Sequence, residues 1–90
     1  MKDMSALNYK LQTMTRKELG AICKSHNCKI NDDNLSIALH LMKNNPSSIL
    51  IEEYQIIFLI ELRNETSKEI SDEFEDILNN DFIHEIELLH

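Results

Sequence analysis

The chain has 90 residues, 42% of them hydrophobic, with one glycine, one proline and two cysteines. This length holds one modest core, burying about 60–65% of the surface the unfolded chain exposes, and the apolar content excludes a wholly disordered protein. The net charge of −7 is unevenly spread. Residues 1–45 carry seven Lys/Arg against four Asp/Glu, and residues 46–90 carry two against twelve, so a mildly basic half precedes a strongly acidic one. Such asymmetry suggests that the halves face different things.

Two cysteines are too few for a disulfide framework, and no N-terminal stretch has the apolar core of a signal peptide. The apolar run 49–62 contains Glu52, Glu53 and Glu61, which excludes a membrane span. A cytoplasmic, reducing compartment is expected. The scarcity of Gly and Pro disfavours a sheet protein, whose turns need them. The expected fold is all-α, with four to five short helices.

In chain order, residues 1–8 read as a flexible tail, 9–45 as a helix-loop-helix and 46–90 as a C-terminal helical extension of the same compact domain. Thr15 and Glu18 form a capping box, a hydroxyl at the cap and a carboxylate three residues on. Met14 and Leu19 form the matching hydrophobic staple. The helix they start is predicted from Arg16 to Ser25. Leu19, Ile22, Cys23 and His26 lie on one face, and Arg16, Lys17 and Lys24 on another. After a loop, Asn31, Asp32 or Asp33 caps a second helix over 34–43. Leu35, Ala38, Leu39 and Met42 form its stripe, and Ile37 and Leu41 widen it.

Asn44 to Ser48 breaks the chain, with Asn45 as cap and Pro46 at the first helical position of a third helix. From Ile49 to Leu62 the apolar residues run nearly all the way round. The segment reads as one central helix, with a strand as the alternative. Its surplus apolar surface suggests a partner or dimer interface, for which Tyr54, Phe58, Phe82 and Ile86 are the candidates. Thr66 with Glu69 reads as a second capping box. Ile70, Phe74, Ile77 and Leu78 follow at helical spacing, and Glu65, Glu69, Asp72, Glu73, Glu75 and Asp76 supply an acidic face. Asn79-Asn80-Asp81 breaks this pattern before a last short helix with Phe82, Ile83, Ile86 and Leu89.

The stretch Met14 to Ile30, followed by Asn34 to Met42, resembles a SAP-like, or helix-extended-loop-helix, module. The resemblance covers a third of the chain. It implies Leu19 and Ile22 as first-helix core, Asn27 and Cys28 as the turn, and Ile37 and Leu41 as second-helix core. Such modules usually bind DNA, which would make Arg16, Lys17, Lys24 and Lys29 the contacts. This chain departs from the family at the start of the second helix, where Asp32, Asp33 and Asn34 stand in place of Gly and Lys/Arg. Carboxylates there repel the phosphate that a helix N-terminus would otherwise attract.

Cys23, His26, Cys28 and His40 have irregular spacing for a structural zinc site and read as ordinary packing, so neither metal nor cofactor is expected. No nucleophile motif, phosphate loop or metalloprotease signature is present, and the chain reads as non-enzymatic. The expectation is a regulator or adaptor whose acidic face docks on a protein with a basic surface. By analogy with small acidic phage proteins, it would be a phage- or virus-encoded inhibitor of a host nucleic-acid-handling complex. The alternatives are a SAP-like DNA-binding module and a structural protein that dimerises through the third helix.

Overall fold

A computed structural model describes residues 4–89. It is all-α: seven α-helices and one 3-10 turn, with no strand among the described residues. The expected count of four to five helices falls short for two reasons, an extra helix at the start and a break in the middle.

The extra helix is α1, Met4–Thr13. It replaces the flexible tail expected over residues 1–8 from Met4 onward; residues 1–3 lie outside the described residues. Leu7 and Leu11, one turn apart, are its buried pair. The helix packs on α3, α4 and α7, defined below. So short a helix is marginal alone and takes its stability from packing. The Gln12 amide also donates to the Lys43 carbonyl at 2.9 Å, satisfying an end group of α3.

Helix α2, Arg16–Ser25, starts as the sequence predicts. The Thr15 hydroxyl accepts from the Glu18 N–H at 3.1 Å, and the Glu18 carboxylate accepts from the Thr15 N–H at 2.8 Å. Met14 is fully buried behind the cap. The helix ends in a Schellman motif. Asn27 takes a left-handed φ of 60°, and its N–H donates to the Lys24 carbonyl, while the Cys28 N–H reaches back to the Cys23 carbonyl at 2.9 Å. Asparagine suits that position because its short side chain tolerates the left-handed region.

Helix α3, Asp32–Asn44, is capped by Asn31, whose side-chain oxygen accepts from the Asn34 N–H at 2.8 Å. Asp32 and Asp33 occupy its first turn, where the helix dipole favours negative charge. Leu35, Ala38 and Met42 are buried, and Ile37, Leu39 and Leu41 half-buried.

The segment read as one helix over 49–62 is broken. Helix α4 covers Ser47–Leu50. Ile51 is extended at φ −109° and ψ 114°, the 3-10 turn covers Glu52–Tyr54, and α5 runs Gln55–Glu65. The reason is geometric. Ile49 and Phe58, both buried, are nine positions apart, about two and a half turns, so an unbroken helix would point them to opposite sides. The break lets both reach one core. The Gln55 amide pins it by donating to the Ile49 carbonyl at 2.9 Å.

Helix α6, Lys68–Asn79, forms an antiparallel hairpin with α5. Its cap is Ser67, not Thr66: the Ser67 hydroxyl accepts from the Ile70 N–H at 3.2 Å. Thr66 instead closes α5, its N–H and hydroxyl both donating to the Leu62 carbonyl. The Thr66–Glu69 capping box is therefore not formed. Ile70, Phe74, Ile77 and Leu78 are buried as their spacing predicts, and the Phe74 ring meets Phe58 edge-on at 5.9 Å. Asp81 caps α7, Phe82–Glu87, from a left-handed φ of 61°. One core cluster joins residues of α1 to α7.

Candidate interaction surface

Helix α6 separates its residues cleanly, with its apolar side chains inside. Glu69, Asp72, Glu75 and Asp76 are exposed on the opposite arc, and Glu65 is exposed at the end of α5. Asp72 shares its charge with Lys68, one turn earlier, at 2.8 Å. That partner also raises the Lys68 pKa through hydrogen bond and charge. Glu73 leaves the group: it is half-buried and accepts a hydrogen bond from the Cys28 thiol at 3.2 Å.

Beside this ridge runs the α5/α6 seam. Two adjoining hollows lie along it. One, of about 230 Å³, involves Glu52, Ile56, Leu59 and Glu75. The other, of about 160 Å³, involves Ile56, Ile60, Arg63, Asp72 and Glu75. The Ser71 hydroxyl donates to the Leu59 carbonyl at 2.9 Å, tying the two helices at this line. The seam thus has aliphatic side chains and the Arg63 guanidinium on its α5 side and carboxylates on its α6 side.

The apolar candidates need correction. Phe58, Phe82 and Ile86 are at most 1% exposed and belong to the core; Tyr54, at 48%, is the member of that set left in solvent. The exposed apolar face of α5 consists instead of Ile56, Ile57 and Ile60, at 56%, 44% and 53%. Sequence reasoning missed these three because a helix apolar all round has no phase to show which side is inside. The signal available was quantity: one small core does not need every side of such a helix.

Arg16, Lys17, Lys24 and Lys29 are all exposed, on α2 and the loop after it. Arg16 donates to the Ser36 hydroxyl of α3 at 3.3 Å. The exposed Asp32 and Asp33 stand at the head of α3, on the far side of the same loop.

Cys23, His26, Cys28 and His40 are not gathered around one point. The two cysteines are the hydrophobic pair that accompanies a Schellman motif, and both are buried free thiols. Burial pushes the Cys23 thiol up to about 11. Cys28 is also raised, by burial first and by its bond to Glu73 second. Such thiols are poor nucleophiles at neutral pH. His26 Nε2 lies 2.9 Å from Glu85, linking the end of α2 to α7. His40 is exposed beside a different groove, with Ile37 and Leu41. Among the described residues, no three His, Cys, Asp or Glu side chains form a metal-binding group, and no helix is long and apolar enough to cross a membrane.

Comparison of the chain with protein-family models, curated proteins and solved structures returns no match.

Proposed function

We propose that this chain is a non-enzymatic adaptor or regulator that binds a protein partner through a basic amphipathic segment laid along the α5/α6 seam. The observation that carries this reading is the pairing of exposed Ile56 and Ile60 with Asp72 and Glu75 along one seam. A helix with aliphatic residues on one face and Lys/Arg beside them matches the isoleucines of α5 and the carboxylates of α6, with its cations set away from Arg63. The carboxylates of α6 steer its approach, and the isoleucines supply contact area. Basic surfaces are common where proteins receive nucleic acid. The same chemistry therefore supports an inhibitor of a nucleic-acid-handling complex, as a phage or virus would encode.

The test uses a synthetic Leu/Lys amphipathic helical peptide and the ¹⁵N-labelled protein. The expected amide shifts cluster on residues 52–63 and 68–79. Double reversal, Asp72→Lys with Glu75→Lys, should weaken binding by roughly tenfold or more and flatten its salt dependence, since each contact of this kind is worth up to about 1 kcal/mol and reversal replaces attraction with repulsion. Unchanged affinity in the double variant, or shifts confined to other elements, overturns the reading.

A second reading, DNA binding by a SAP-like α2-loop-α3 unit, is supported by the exposure of Arg16, Lys17, Lys24 and Lys29. It predicts a mobility shift with duplex DNA at low salt that quadruple alanine substitution removes. No shift at low salt sinks it.

A further inference from the structure

We infer that the exposed face of α5 binds a second copy of this chain, in an antiparallel α5–α5 contact about a two-fold axis. The exposed residues follow a definite order along this face. Glu53 stands in the turn that leads into the helix, Ile56 and Ile60 lie in the middle, and Arg63 closes the last turn. All four are exposed. At ~100° per residue along α5 and ~120° through the 3-10 turn before it, positions 53, 56, 57, 60 and 63 fall within an arc of about 120°, on the side opposite buried Phe58 and Leu62.

The order is self-complementary. Centred on position 58, Ile56 and Ile60 lie two places to either side, and Glu53 and Arg63 lie five. A two-fold axis through this point runs the second α5 antiparallel to the first. It sets Ile56 against the partner's Ile60 and Ile60 against the partner's Ile56. The same operation sets Glu53 against the partner's Arg63, and Arg63 against the partner's Glu53. An isologous contact requires such a patch, one that complements itself when reversed. A parallel arrangement would bring Glu53 to Glu53 and Arg63 to Arg63, which repel.

A further observation favours a second copy as the occupant. Glu53 and Arg63 make no ion pair among the described residues. The face presents Glu53, Ile56, Ile57, Ile60 and Arg63, where a standard interface uses about 20–30 residues a side, so the expected dimer is weak.

The inference does not depend on the basic-partner reading. Where both hold, they share Ile56 and Ile60, so a second copy and a basic helix exclude one another. Dimerisation then regulates access to the seam.

Sedimentation velocity of the purified chain alone, over roughly 10 μM to 1 mM, provides the test. Wild type should pass from monomer to dimer across this range. Glu53→Arg alone or Arg63→Glu alone should weaken the dimer by roughly tenfold, since each change creates two like-charge contacts about the axis. The double variant, with both changes, should return to near wild type because the pair is restored with reversed polarity. Ile60→Asp should leave a monomer throughout. All these positions are exposed, and circular dichroism verifies that each variant remains folded. A wild-type monomer at every concentration overturns the proposal. So does a double variant no better than the worse single one. Failure of the peptide titration with an intact dimer removes the basic partner and leaves this inference standing; the converse removes only the dimer.

Discussion

Replacing Gly20, the chain's one glycine, with alanine sets two effects against each other. Gly20 lies inside α2, where alanine favours the helix by about 0.8–1.0 kcal/mol. Against this, a Cβ at position 20 would sit 3.2 Å from Leu35 Cδ2. That is tighter than ordinary contact by a few tenths of an ångström, so Leu35 must yield. The atom concerned is the far end of the Leu35 side chain, which a small rotation can move. The strain should cost less than the propensity gains, leaving Gly20→Ala more stable by roughly 0.5 kcal/mol and raising Tm by about 2–4 °C. Urea denaturation with thermal melting measures this. Gly20→Val adds bulk that a small shift cannot absorb and should lose about 1–3 kcal/mol. If Gly20→Ala itself loses more than about 1 kcal/mol, then Leu35 is rigid, and the α2–α3 approach is fixed at the glycine rather than adjustable.

Two other predictions concern the core and the thiols. Phe74 is fully buried and meets Phe58 edge-on, so Phe74→Ala should cost about 3–5 kcal/mol, a large part of the total expected for a chain of this size; Ile57→Ala, on the exposed face, should stay within about 0.5 kcal/mol, and equal costs in urea melts would contradict the assignment of faces. Burial pushes the Cys23 thiol up from its ordinary 9.0 to about 11, and burial with the Glu73 bond raises Cys28 further. The folded state thus holds these protons more tightly, and the stability that Cys23 contributes is complete below its ordinary pKa and lost as pH rises through about 11, with Cys28 extending the loss to higher pH. The urea midpoint should fall between pH 8 and pH 10.5, and the fall should be shallower in Cys23→Ala. An identical slope in the variant would mean that other groups govern the alkaline loss.

What was legible in the sequence was local. The Thr15–Glu18 box depends on residues three apart, the cap of α3 is one of the three candidates Asn31, Asp32 and Asp33, and α6 shows its inner face because one arc is apolar and the other carboxylate. What was not legible depended on partners distant in the chain. Helix α1 has two buried leucines, and α3, α4 and α7 cover it. The break at Ile51 follows from where the core lies relative to Ile49 and Phe58, which no local pattern encodes. Thr66 and Ser67 are adjacent hydroxyl residues, and the end of α5 decides which one caps α6. At the candidate surface, the acidic ridge was readable apart from Glu73, whose bond to Cys28 spans 45 positions. The apolar side was misplaced onto Phe58, Phe82 and Ile86, since size and aromaticity do not report direction.

The packing of α1 on α7 bears on how the chain is made. The Lys10 ammonium donates to the Glu87 carbonyl across 77 positions. Helix α1 leaves the ribosome before α7, at roughly 5–20 residues per second. Leu7 and Leu11 therefore wait several seconds, with part of their cover still unsynthesised. The hairpin of α5 and α6, closed by neighbours in sequence, has no such wait and can form while α1 is still searching. Helix α1 should then dock late, once α7 emerges to hold it.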